Sequence, residues 1–176
     1  LQSFISTLAL AKYLEGKGIQ REYTFQPCRS PEMTFYEVIK GGFTLHPEQT
    51  EAIEAALKQQ RGIIHYPTGS GKTRIFLSII QYFPKANAII ILHRQDLLYQ
   101  TYERANEMFP GEVGIIGDGR LEPNRITIAM VQTLSKMPPT EFHKKQDILI
   151  VDEAHHVNSF DGEYYKVLTH ISAPIR

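Results

Sequence analysis

Two short stretches of this 176-residue chain hold residue types that could handle phosphate. The first is Pro67-Thr68-Gly69-Ser70-Gly71-Lys72-Thr73. Glycines let a backbone curl so that successive N–H groups point inward at an anion. A helix that opens directly after such a loop adds free donors and partial positive charge. Lys72 can reach terminal phosphates, and the Thr73 hydroxyl can ligate the magnesium ion that accompanies them. The general phosphate-loop pattern has Gly where Tyr66 stands, so the strict motif fails at one position while Gly71-Lys72-Thr73 is intact. A glycine-rich turn would explain the glycines alone. It does not explain Gly-Lys-Thr between an apolar run and a helical stretch.

The second stretch is Asp147-Ile-Leu-Ile-Val-Asp152-Glu153-Ala154-His155, an apolar run that ends in two adjacent carboxylates. Beside a phosphate loop, Asp152 is placed to hold a hydrated magnesium ion. Glu153 can orient or deprotonate the water that attacks a terminal phosphate. A solvated turn after a buried strand is the plainer reading of two acids, and the loop makes it the weaker one. His155-His156 is a poor chelate, because adjacent side chains diverge and zinc-binding helices space their histidines four apart. His155 reads better as a polar link from the nucleotide site to another part of the protein.

These residues need elements to position them. Pro47 to Gln59 reads as a helix, with Ala52, Ile53, Ala56 and Leu57 on one stripe. Apolar runs follow at Gly62–Tyr66, Ala88–Leu92, Val113–Ile116, Ile126–Met130 and Ile148–Val151, and each is expected to be a strand. Helical patterns at Lys72–Phe83 and Gln95–Phe109 fall between them. Such alternation predicts an α/β fold with a parallel sheet covered by helices on both faces. Ligands of these sheets bind at the carboxyl ends of the strands. Both phosphate-handling stretches fall there.

Residues 1–41 read as a small α+β segment of uncertain fold, and Gly41-Gly42 as a junction. Leu1 to Gly18 suggests a short helix, Glu22 to Gln26 a strand, and Ser30-Pro31-Glu32 a helix start. The chain is 42% hydrophobic and 22% charged, ordinary for a folded soluble domain. It carries 19 basic and 19 acidic residues, so net charge gives no support to nucleic-acid binding, which must rest on local features. Cys28 is the one cysteine; it excludes an internal disulfide and fits a cytoplasmic or nuclear protein. Apolar runs such as Ala88 to Leu92 are far short of the ~20 residues a membrane helix needs.

The two stretches together resemble motifs I and II of superfamily 2 helicases and translocases, in the DEAH-box group, over about residues 43–176. Weaker matches follow in order. Leu45-His46-Pro47-Glu48-Gln49 resembles the Q motif, whose glutamine reads the adenine edge; Gln49 is either that residue or a polar residue in a helix's first turn. Leu92 to Gln100 resembles motif Ia, with His93-Arg94 where the family has Pro-Thr. Ile128 to Leu134 resembles motif Ib, with Met130 where the family has Thr. Both segments touch the nucleic-acid backbone in the family, which implies contacts from Arg94, Gln132 and Thr133. Arg94 is equally a candidate for a surface ion pair.

The resemblance implies a RecA-like domain that binds ATP and Mg2+ through Gln49, Pro67 to Thr73 and His155. Its catalytic residues would be Lys72, Asp152 and Glu153, and its metal ligands Thr73 and Asp152. The style of the Q motif and the strand spacing are most similar to the XPB-like branch, which implies DNA as partner. Double-stranded-RNA sensors and restriction translocases share the core motifs and stay open. Family members carry a second RecA-like domain with arginine fingers, worth ~10³–10⁵ in rate. Nothing after His156 resembles it. Residues 42–176 are therefore expected to be a first motor domain, cut short at its C-terminal end, that binds nucleotide and hydrolyses it very slowly. A different phosphate-loop enzyme is the rival. A GTPase would need Asn-Lys-x-Asp, and no asparagine here precedes lysine. A small-molecule kinase would need a lid, and a relic binding module would not need Lys72, Thr73, Asp152 and Glu153 together.

Overall fold

The computed structural model describes residues 44–65, 67, 70–157 and 162–176. The expectations for residues 1–41, the Gly41-Gly42 junction, Tyr66, Thr68, Gly69 and the His155 side chain lie outside the described residues.

Five strands form one sheet: β1 (Ala88–Leu92), β2 (Val113–Gly117), β3 (Arg120–Glu122), β4 (Ile126–Met130) and β5 (Ile148–Val151), in the order β3-β2-β4-β1-β5. β1 lies between β4 and β5, parallel to both; Ile90 faces Ile128 on one side and Ile150 on the other. β2 runs parallel to β4. The alternation of a strand puts Ala88, Ile90 and Leu92 on one face and Ile89 and Ile91 on the other. All five are completely buried, which is why the run reads as continuously apolar.

Helices cover both faces. On the face of Ile90 lie α1 (Pro47–Gln59), α2 (Lys72–Gln81) and α3 (Gln95–Met108), through Ile53, Ile75, Ile80 and Leu98. On the face of Ile91 lie α4 (Val131–Leu134), α5 (Glu141–Lys144) and α6 (Glu163–His170), through Leu134, Phe142 and Val167. Each fully buried Ile or Leu contributes about 1.5–3 kcal/mol. Among the described residues no helix is long and apolar enough to cross a membrane.

Two expectations need correction. The sheet is mixed, because β3 pairs antiparallel with β2, Ile116 facing Leu121. The chain reverses through Gly117-Asp118-Gly119, all three at positive φ, a backbone that glycine adopts without cost and Asp tolerates. Where the structure describes the apolar run expected at 62–66, it is not a strand: residues 62–65 join none of the five strands of this sheet. Its neighbour is Ile175-Arg176. The Gly62 N–H donates to the Arg176 carbonyl at 3.0 Å, and the Arg176 N–H donates to Gln60 at 2.9 Å. On its other side Ile175 bridges in parallel to Ile148. These hydrogen bonds hold the segment beside the sheet, and a strand needs a ladder along its length. Ile64 packs against the core while Ile63 stays exposed.

Candidate nucleotide site

The site sits at the carboxyl ends of β1, β4 and β5. α2 opens at Lys72, with Gly71 as its N-cap at φ 89°. The Arg74 and Ile75 N–H groups donate to the Gly71 carbonyl and start the helix. The N–H groups of Lys72 and Thr73 precede those first intrahelical donors, as in any helix end that holds an anion. Ahead of them the Ser70 hydroxyl and N–H both donate to the Pro67 carbonyl, which folds the loop back on itself.

The acidic strand end reaches this loop. The Asp152 N–H extends the β5 ladder by donating to the Ile91 carbonyl at 3.1 Å. Glu153 then takes φ 52°, and residues 154–156 form one 3-10 turn. This backbone aims the Glu153 carboxylate at Lys72: Nζ lies 3.1 Å from Oε1, with both side chains about four-fifths buried. Catalytic candidates 81 residues apart are thus joined by one ion pair. Asp152 is set behind them, its Oδ1 accepting from the Glu153 N–H at 2.9 Å. Burial raises the Asp152 carboxyl above its ordinary range, opposed by that N–H and by the Lys72 ammonium. A buried carboxylate short of compensating charge suits a cation. Mg2+ is commonly held by one or two carboxylates plus phosphate oxygens, and the oxygen donors Asp152 and Thr73 fit that pattern. The Thr73 hydroxyl accepts from Arg104 Nη1 on α3 at 3.5 Å, a long contact.

Gln49 is 1% exposed, and its amide is engaged at both ends. Its Oε1 accepts from the His46 N–H at 3.0 Å, and its Nε2 donates to the Ser70 carbonyl at 2.9 Å. The sequence places Gln49 in the first turn of a helix. The structure adds that this residue ties α1 to the phosphate loop.

The three residues expected to touch nucleic acid divide. Arg94 donates to Asp96 through Nε at 3.0 Å and Nη2 at 2.7 Å, an exposed ion pair of little stabilising worth. Thr133 is half-buried in α4. Gln132, in the first turn of α4, donates through Nε2 to the His93 carbonyl at 2.9 Å. His93 also meets His156, ring centroids 4.0 Å apart and tilted by 51°. Beside them opens a cavity of about 290 Å³, whose wall includes Gln132 and Tyr164. Burial, then the carboxylates of Asp152, Glu153 and Glu163, push the Tyr164 hydroxyl up to about 12. Neither Tyr164 nor Arg104 carries a sequence signal, since both belong to the site only through the packing of α6 and α3. The His93–His156 contact has half a signal, the doubled histidine after the acids.

Residues 42–176 match the family described as type III restriction enzyme, res subunit. The DNA 3'-5' translocase XPB2 of Sulfurisphaera tokodaii is 35% identical over 138 residues, 78% of this chain and 30% of that protein. The chain thus spans about a third of that relative's length. Among solved structures, the UvsW helicase of bacteriophage T4 superposes with a TM-score of 0.66 at 16% identity, over 92% of this chain and 64% of that one. The Sulfolobus solfataricus SWI2/SNF2 ATPase core in complex with dsDNA superposes with a TM-score of 0.61 at 14% identity, over 85% of this chain and 33% of that one. At such identities these likenesses speak to the fold, a mixed α/β domain like those of RecA-like helicase motors. The chain belongs to the type III restriction enzyme res subunit family.

Proposed function

We propose that residues 42–176 are the first RecA-like motor domain of an ATP-dependent DNA helicase or translocase, with residues 1–41 part of a preceding region. The observation that carries this reading is the Lys72–Glu153 contact at 3.1 Å, which brings the phosphate loop and the acidic strand end into one site. Lys72 neutralises terminal phosphate oxygens, and the N–H groups at the start of α2 and the loop from Pro67 to Thr73 cradle them. Asp152 and Thr73 hold Mg2+, which when bound supplies positive charge at the transferring phosphate. Glu153 orients or deprotonates the attacking water. Gln49 braces the loop and reads adenine only by exchanging one of its bonds to His46 and Ser70, and His155 links the site to the rest of the protein.

In this reading the acidic motif is a DEAH box, and the XPB-like branch is supported by the translocase relative. DNA is the partner, gripped by its backbone through Arg94, Gln132 and Thr133, with weak sequence preference and strong salt dependence. The full protein is intracellular and carries a second RecA-like domain; ATP binds between the two and its hydrolysis moves them. This chain alone turns ATP over very slowly. The family description also favours a restriction-type translocase, which differs in partner and not in this site.

Thermal unfolding with and without Mg-ADP, Mg-ATP and Mg-GTP tests the reading. At a hundred times the dissociation constant, linkage supplies about 2.7 kcal/mol. That corresponds to roughly 5–10 °C for a domain of this size. Adenine nucleotides are expected to give that shift, Mg-GTP none, and Lys72→Ala to lose it. A folded chain that no adenine nucleotide stabilises overturns the proposal.

A further inference from the structure

His93 and His156 join the two halves of the proposed site. The turn of residues 154–156 follows Glu153 directly and lays the His156 ring on His93, centroids 4.0 Å apart. His93 is the first residue beyond β1, and its carbonyl accepts from Gln132, two residues beyond the end of β4. Val151 faces Ile91 and Leu92 faces Met130, so the acids, the two rings and Gln132 form one row across neighbouring strand ends. The row has a second arrangement available. Among the described residues the Gln132 Oε1 and Tyr164 hydroxyl are buried without a hydrogen-bond partner, and both line the cavity beside the rings, which His156 also lines. A His156 ring turned into that cavity would meet an acceptor and a hydroxyl there. Glu153 sits at positive φ, a backbone that L residues leave readily when their contacts change.

We propose that His156 is a positioning residue whose ring contact with His93 couples the nucleotide site to the nucleic-acid side of this domain. The inference rests on the proposed function. Phosphate that draws Lys72 from Glu153 loosens the turn; the His156 ring leaves His93, and the hydrogen bond between the His93 carbonyl and Gln132 shifts with it. Coupling of this kind is reciprocal: nucleotide alters affinity for DNA, and DNA alters affinity for nucleotide by the same factor.

The test is a thermodynamic box on this chain at low salt, with Mg-ADP and fluorescein-labelled oligothymidine as ligands, each titrated with and without the other. The wild type is expected to show a coupling factor of about fivefold or more, within the usual range for such effects. In His156→Ala the factor falls to about one, while the affinity for Mg-ADP alone stays within about twofold. His156→Phe, which keeps a ring on His93, retains the coupling. A factor unchanged in a folded His156→Ala overturns the coupling role, as does a wild type that binds both ligands independently; either result leaves the nucleotide reading intact. A wild type that binds no adenine nucleotide overturns both.

Discussion

Gln49 and Gly71 meet with no room for a side chain between them. A Cβ built on Gly71 would lie 2.7 Å from the Gln49 Nε2, closer than such atoms approach. That amide cannot swing away freely, since it is buried and donates to Ser70 while its oxygen accepts from His46. Gly71 also sits at φ 89°. Gly71→Ala is therefore expected to destabilise the chain by about 1–3 kcal/mol through backbone strain and displacement of Gln49, and to weaken Mg-ADP binding. Urea unfolding of Gly71→Ala, Gln49→Ala and the double variant separates the two causes. Removing the glutamine should relieve the collision and leave the strain, so the double variant should cost less than the sum of the single ones. Strict additivity would show that the two residues do not interact.

In the proposed reading the Lys72–Glu153 pair competes with phosphate for the same ammonium group. Glu153→Gln removes the competing charge while keeping an oxygen near Nζ. We expect it to tighten Mg-ATP binding, by about 1 kcal/mol or roughly fivefold, because the pair is only partly screened. Lys72→Ala removes the phosphate's partner, and we expect affinity to fall by tenfold or more. Calorimetric titration of both variants decides the matter. Weaker binding in Glu153→Gln would mean that the pair organises the loop instead of competing with phosphate.

Much of this was readable in advance, for a physical reason. The runs Ala88–Leu92, Ile126–Met130 and Ile148–Val151 are strands over the expected residues, because strands covered on both faces read as near-continuous apolar runs, with buried Thr127 donating its hydroxyl to Asn124. The run at 62–66 has the same look, but pairing is a property of neighbours, and residues 62–65 form no ladder with the strands of this sheet. β3 leaves no such trace in the sequence, for the opposite reason. Arg120–Glu122 is an edge strand with Leu121 61% exposed, so burial leaves no mark on its residues. In the candidate site, motif chemistry singles out Lys72 and Glu153, and the structure places them in contact. The bracing of the loop by Gln49 and the ring contact of His93 with His156 join distant segments, and the doubled histidine after the acids is only half a pattern for the second.

Asp152 makes a prediction about pH and metal. Its folded carboxyl titrates above its ordinary value, chiefly through burial. The native state therefore holds more protons than the unfolded chain in the window above pH 3.8, and stability is lost as pH rises through that window. At neutral pH the ionised group is a net cost in the absence of a cation. Asp152→Asn keeps an oxygen for the Glu153 N–H and drops the charge, so it should raise Tm at pH 7 without metal. Mg2+ with ADP should then stabilise the wild type more than the variant. A variant less stable than the wild type at pH 7 would show that the carboxylate is compensated within the chain.

His143 gives the opposite sign. It is completely buried in α5, and its Nδ1 accepts from the Thr140 N–H at 3.1 Å. Its Nε2 has no partner among the described residues, and the ring of His170 stands edge-on with centroids 6.1 Å apart. Burial, then the neighbouring His170, holds its pKa below the ordinary 6.5. A proton here would place a charge in the core between α5 and α6. The unfolded chain binds that proton more readily, so the stability from neutral His143 is fully present above pH 6.5 and is lost as pH falls below it. Tm measured from pH 8 down to pH 5 should therefore drop more steeply in the wild type than in His143→Asn. The asparagine oxygen can accept from Thr140 in place of Nδ1 and does not titrate. Equal slopes would place the acid sensitivity of this fold in other groups.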